Sequence, residues 1–95
     1  MRIVWTKEAQ ITYTKILDYL SWKWGDMVVE DFLNLTEKIL SNISKNPYMY
    51  KSSKSLDIRI GIITKHNSLV YRIKQNCIEL ITFWDNRQNP SKFQY

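Results

Sequence analysis

Arg59, Lys65, His66, Arg72, Lys74 and Arg87 are the residues of this chain whose types and spacing can do chemistry. They gather in and around the segment His66 to Pro90, where two strand-like runs meet at Gln75-Asn76 and leave through Arg87. Cations lined up on one side of a sheet attract phosphate or carboxylate groups. His66 is the only histidine, of a type that titrates near neutral pH and so can act as a general base. A base of that kind needs a second acid or base beside it, and the sequence around His66 supplies none. The competing reading of all six is that they are ordinary solvated residues on the wet side of a sheet.

Other chemistries lack their residues. Glu79 and Asp85 are six residues apart on one predicted strand, too far for a carboxylate pair. One histidine and one cysteine are too few favoured ligands for zinc, so no metal and no cofactor is expected. Gly25 and Gly61 are the only glycines, which rules out a glycine-rich phosphate loop. Cys77 cannot form an internal disulfide, and within an apolar run it reads as a small buried hydrophobe. No apolar run is long enough to span a bilayer, and Lys7 and Glu8 interrupt the position of a signal-peptide core. The expectation is a cytoplasmic protein with no membrane partner and no small-molecule substrate.

The elements that must position the cations follow from hydrophobic periodicity. Arg2 to Trp5 reads as a short strand, with Thr6 as helix cap. Ala9, Tyr13, Ile16, Leu17, Leu20 and Trp24 recur at helical spacing, and Gly25 stops that helix. Asp26 is read as the cap of a second helix, whose buried face is Val28, Phe32, Leu35, Ile39 and Ile43 and which ends at Asn46-Pro47. So short a turn makes the two helices an antiparallel hairpin. Tyr48 to Ser55 is a polar loop. Ile58, Ile60 and Ile62, then Leu69, Tyr71 and Ile73, then Cys77 to Trp84 follow strand spacing. Of the tryptophans, Trp5 and Trp24 fit core positions, while Trp22 lies off the stripe of the first helix.

The order β-α-α-β-β-β over residues 1–95 predicts one α+β domain, a helical hairpin packed on one face of a small, largely antiparallel sheet. If Ile58, Ile60 and Ile62 pack under the helices together with Leu69, Tyr71 and Ile73, then Arg59, Arg72 and Lys74 share the outer face. Arg87 then reaches the same face, extended by Lys65 and His66. Charge supports a basic half. Residues 1–44 carry five Lys or Arg against six Asp or Glu, whereas residues 45–95 carry nine against three, within a net charge of +5.

The helix end Lys45-Asn46-Pro47, the run His66-Asn67-Ser68-Leu69-Val70-Tyr71-Arg72-Ile73, and Ile78-Glu79-Leu80-Ile81 followed by Trp84-Asp85-Asn86-Arg87-Gln88-Asn89-Pro90 resemble the RelE/ParE superfamily, also called the plasmid stabilisation family. The resemblance covers nearly the whole chain. It implies a growth-inhibiting toxin of a bacterial type II toxin–antitoxin system, neutralised by a cognate antitoxin with an acidic, amphipathic C-terminal segment. RelE-like members cut messenger RNA in the ribosome, and ParE-like members act on DNA gyrase.

Carried over residue by residue, the resemblance makes Arg59 the counterpart of a strand lysine, keeping the charge but poorly suited to act as a base. Gly61 stands at a second lysine position, and Ser68 where an arginine clamps phosphate. Arg87 matches the basic residue after the last strand. Phe93 falls near a C-terminal tyrosine and lacks its hydroxyl, for which Tyr95 substitutes only through a shift of the tail. Arg59, Arg87 and His66 are thus the catalytic candidates if RNA is cut, and Arg59, Arg72, Lys74, Arg87 and Lys65 the target-binding candidates. These departures favour a ParE-like or diverged toxin over a metal-independent endoribonuclease. A non-toxic nucleic-acid- or protein-binding relative is the reading from another class, and no constellation supports a metabolic enzyme.

Overall fold

Thr6 starts the architecture by serving two elements at once. Its hydroxyl oxygen accepts from the Ala9 amide at 3.0 Å and donates to the Leu80 carbonyl at 2.7 Å, capping a helix while tying it to a strand. In the computed structural model, which describes residues 1–54 and 57–95, the elements are β1 (Arg2–Trp5), α1 (Lys7–Trp24), α2 (Asp26–Lys45), β2 (Ile58–Thr64), β3 (Asn67–Ile73) and β4 (Cys77–Asp85). A short 3₁₀ turn, Pro90–Lys92, follows. The end of the expected loop at Ser55 lies outside the described residues.

Gly25 makes the helical hairpin possible. Its φ of +93° lies where a β-carbon is strained, and its amide bonds back to the Leu20 and Ser21 carbonyls. Asp26 does not cap α2 as expected. Gly25 already occupies the cap, so Asp26 becomes the first helical residue, where its charge complements the helix dipole.

The four strands lie in the order β1-β4-β3-β2, with β1 parallel to β4 and the other pairs antiparallel. The helices cover one face, over a core of Ala9, Ile39, Ile43, Leu69, Tyr71, Ile73, Ile78, Leu80 and Phe83. Trp5, Tyr13 and Phe83 pack ring on ring, with Phe83 4.6 Å from Tyr13 and 5.3 Å from Trp5. Such pairs add about 1 kcal/mol each beyond their area.

Trp24 and Leu35 depart from the expected stripes, being 63% and 43% exposed. Both line a cleft between the hairpin tip and the β2–β3 turn instead of a packed layer. Trp22 is exposed, and Cys77 is half-buried rather than buried, lying opposite Arg2 at the start of β4.

The faces of β2 are the reverse of those expected. Arg59 is paired with Tyr71 and Gly61 with Leu69, two residues of the helix-covered core. Directly opposed residues share a face, so Arg59, Gly61 and Ile63 look toward the helices. Ile63 packs on the core, whereas Ile62 is 64% exposed. β2 carries isoleucine on both faces, so alternation alone allowed either register, and a one-residue change turns every side chain over. Gly61 decides it. A β-carbon there would stand 2.9 Å from Ile39 Cδ1, so α2 approaches the sheet closely only over a residue with no side chain.

The face away from the helices is also covered. Phe93 packs edge-on against Trp84 at 5.1 Å, and Tyr95 against Phe93 at 5.6 Å. The Ser53 hydroxyl donates to the Tyr95 carbonyl, and the Tyr95 hydroxyl to Glu8 at 3.3 Å. A cleft of about 300 Å³ lined by Ile60, Ser68, Trp84 and Phe93 remains beneath this tail.

Candidate functional site

The β2–β3 turn and the β4 exit are fastened together by their backbones. The Asn86 amide donates to the His66 carbonyl at 2.7 Å, and the Asn86 side-chain amide to the Lys65 carbonyl at 3.3 Å. Ser68 donates its hydroxyl to Asn86 Oδ1 at 3.0 Å. This brings Lys65, His66 and Arg87 to one end of the sheet, beside the outer half of α1.

Arg87 is fixed there. Its Nε and Nη2 donate to the two carboxylate oxygens of Asp85 at 3.0 and 2.9 Å, a two-pronged pairing that holds the guanidinium in plane. The Arg87 backbone amide donates to the same carboxylate at 2.9 Å. The guanidinium lies 5.3 Å from the centre of the Tyr19 ring on α1. Hydrogen bonds from Arg87 hold the Asp85 carboxyl below its ordinary range against the opposing effect of partial burial, and the nearby His66 acts in the same direction. Hydrogen bonds to Asp85 and Tyr19 in turn raise the Arg87 pKa, so it is a permanent cation. A cleft of about 340 Å³ opens in front of the pair, with Lys15, Ile16, Leu20 and Phe83 among its walls.

Arg72 and Lys74 are at the far end of β3 and on the other face. Arg72 Nε is 3.9 Å from Asp57, and Lys74 Nζ is 3.2 Å from Glu79, both partly exposed pairs. Arg59 belongs to neither group. Its Nη1 donates to the Tyr50 carbonyl at 2.6 Å and the Tyr48 carbonyl at 3.3 Å, and its guanidinium lies 5.0 Å from the Tyr48 ring centre. Beside it the Tyr71 hydroxyl donates to the Pro47 carbonyl at 2.7 Å. Burial pushes the Tyr71 hydroxyl up to about 12, against the lowering effect of Arg59.

The expected single patch of Arg59, Arg72, Lys74 and Arg87 is therefore not formed. Reversal of the β2 faces removes Arg59, and the length of β3 separates Arg72 from Arg87. The structure brings together Lys65, His66 and Arg87. It adds Tyr19, Asp85 and Asn86, which the sequence reading did not place in a site. The alternation of Asp85 and Arg87 at the strand exit was a usable signal, since residues two apart on a strand share a side. Tyr19 carried only a weak one, an aromatic at the border of the α1 stripe.

Among the described residues no group of three or more His, Cys, Asp or Glu is placed to hold a metal ion, and no helix is long and apolar enough to cross a membrane.

Residues 3–90 match the family model described as ParE toxin of type II toxin-antitoxin system, parDE. The fold is similar to a chain of the chromosomal ParDE toxin–antitoxin system from P. aeruginosa, with a TM-score of 0.73 at 15% identity, covering 90% of this chain and 95% of that one. It is also similar to a YoeB/ParE toxin from Agrobacterium tumefaciens, TM-score 0.66 at 15% identity over 90% and 98% of the two chains. For the YoeB dimer of Staphylococcus aureus the TM-score is 0.59 at 15% identity over 86% and 92%. A search of curated proteins returned no match.

Proposed function

The chain belongs to the ParE family of toxins from type II toxin–antitoxin systems, and from that membership we propose that it arrests growth in the cytoplasm by binding DNA gyrase rather than by cutting RNA. The family implies a cognate antitoxin as partner. An acidic, amphipathic C-terminal segment is the form of antitoxin that suits a chain of net charge +5.

The observation that carries the choice of binding over cleavage is the disposition of the residues at the cleaving positions. Metal-independent RNA cleavage needs a base at the ribose hydroxyl, cations on the scissile phosphate and a donor to the leaving oxygen, all within one site. Here Arg59 is spent on the carbonyls of Tyr48 and Tyr50, and Gly61 packs against Ile39. Ser68 donates to Asn86, and Phe93 presents a ring without a hydroxyl to Trp84. The target contacts are assigned to Arg87 and Lys65 at one end of the sheet and to Arg72 and Lys74 at the other, with the C-terminal tail between them. Arg59 acts inside the fold and not on the target.

Induction of the chain in a bacterial host, followed by a supercoiling assay with purified gyrase and a primer-extension map of cellular transcripts, tests this reading. The expected result is blocked supercoiling and intact transcripts, with inhibition weakened by Arg87→Ala. Breaks inside translated codons that vanish with Arg87→Ala would assign the chain to mRNA cleavage instead. Harmless expression of the folded wild-type chain would make it a non-toxic relative.

A further inference from the structure

Arg87 is the most closely held of the cations assigned to the target, and a single carboxylate does the holding. Asp85 accepts from Arg87 Nε at 3.0 Å, from Nη2 at 2.9 Å and from the backbone amide at 2.9 Å. The ion pairs of Lys74 and Arg72 are longer, at 3.2 and 3.9 Å. Tyr19 completes the seat, its ring centre 5.3 Å from the guanidinium carbon. Stability alone does not call for this arrangement, because a partly exposed ion pair adds little to folding.

An arginine already paired with a carboxylate reads first as a neutralised one, but the pairing does not exhaust its donors. A guanidinium carries five N–H groups, of which Asp85 takes two and Tyr19 a third. The remainder belong to a half-exposed side chain that lines the cleft with Lys15, Ile16, Leu20 and Phe83. A free arginine gives up the motion of its long side chain when it binds, whereas one fixed during folding has already done so. We propose that Asp85 is a positioning residue, which holds the planar fork of Arg87 at this cleft in the orientation that meets an oxyanion of the target. The proposal rests on the reading that Arg87 touches the target, and adds that the orientation of the fork matters as well as its charge.

The two roles open to a carboxylate beside a target cation have opposite signs. As a plain counter-charge Asp85 mutes Arg87, and removing it strengthens the hold on an anionic group. As a positioning residue it assists Arg87, and removing it weakens that hold. Asp85→Asn separates the two. The asparagine oxygen can still accept from the Arg87 amide and Nε, as Asp85 Oδ1 does, so the turn is kept. The second oxygen, which accepts from Nη2, becomes an NH2 group that cannot.

Two measurements on the full chain test the proposal. The first needs no target: nuclear magnetic relaxation of the Arg87 Nε–H group, in protein prepared by cell-free synthesis, should report a rigid group in the wild type. In Asp85→Asn its order parameter should fall below about 0.6. The second is the dose of folded chain that halves the growth of a bacterial host, with thermal unfolding of each variant as the check on folding. Asp85→Asn should raise that dose roughly threefold to tenfold, the worth of one long side chain immobilised in advance. Arg87→Lys keeps the charge without the planar fork. It should raise the dose at least as much in the wild type and little further beside Asp85→Asn, so that the two changes are not additive. An Asp85→Asn chain as potent as the wild type or more so, an Arg87 equally rigid without Asp85, or additive variants overturns the proposal. The growth dose does not depend on which target is struck, so a failed supercoiling assay would remove gyrase and leave the proposal standing. A harmless wild-type chain, or an Arg87→Ala chain of undiminished potency, would remove the target contact and the proposal together.

Discussion

Arg59 faces Tyr71 across the β2–β3 ladder, and both side chains end on the same loop, Arg59 on the Tyr50 carbonyl at 2.6 Å and Tyr71 on the Pro47 carbonyl at 2.7 Å. The two residues pin the connection that leaves α2 onto the covered face of the sheet. A cation that reads as a surface contact in one dimension is a fastening in three.

Arg59→Ala should therefore lower stability while leaving the activity of each folded molecule unchanged. Removing a charged donor from partly buried carbonyls costs roughly 1.5–3 kcal/mol, and Tyr71→Phe roughly 1 kcal/mol. Urea unfolding gives the stability, and growth inhibition normalised to soluble protein gives the activity. A fully stable Arg59→Ala chain that had lost its effect on growth would put Arg59 back on the target surface.

Gly61→Ala should be destabilising by about 1 kcal/mol, because the crowding of Ile39 outweighs the entropy gained by losing a glycine. The clash is with one atom, Ile39 Cδ1 at 2.9 Å. Ile39→Val deletes that atom, so Gly61→Ala should cost less in the Ile39→Val background than in the wild type. A double-mutant cycle measures the coupling, and additive effects would count against this packing account.

The pairing of Asp85 with Arg87 gives stability a pH dependence of known sign. The Asp85 carboxyl is held below 3.8 in the native state, chiefly by hydrogen bonds from Arg87. Its contribution is thus complete above the unfolded value and disappears as pH falls through the lower native one. Side-chain exposures of 48% for Arg87 and 27% for Asp85 limit it to about 1 kcal/mol or less. Unfolding curves of the wild type and Asp85→Asn should differ at neutral pH and converge in acid. A gap that stayed constant down to pH 2 would show that the difference has another origin.

Local chemistry made much of the fold readable. Thr6 before an apolar-periodic run, Gly25 between two such runs and Asn46-Pro47 after the second bounded both helices without knowledge of what they pack against. β3 was equally legible, because Leu69, Tyr71 and Ile73 stand two apart and all join the helix-covered core as alternation predicts. β2 was not. Its isoleucines at 58, 60, 62 and 63 supply apolar side chains to both faces, and only the ladder to β3 chooses between them. The tail was unreadable for a different reason, since Phe93 finds Trp84 only after the chain has turned back across the sheet.

By itself the sequence determined the order and ends of the elements, the basic second half and the family, because caps, turn residues and periodicity act over a few neighbours. The tertiary structure decided which cations meet. It placed Arg87 over Tyr19 against Asp85, turned Arg59 inward and left Arg72 and Lys74 at the opposite end. Those placements depend on strand register and on how closely α2 approaches Gly61, and a shift of one residue in register would reverse them.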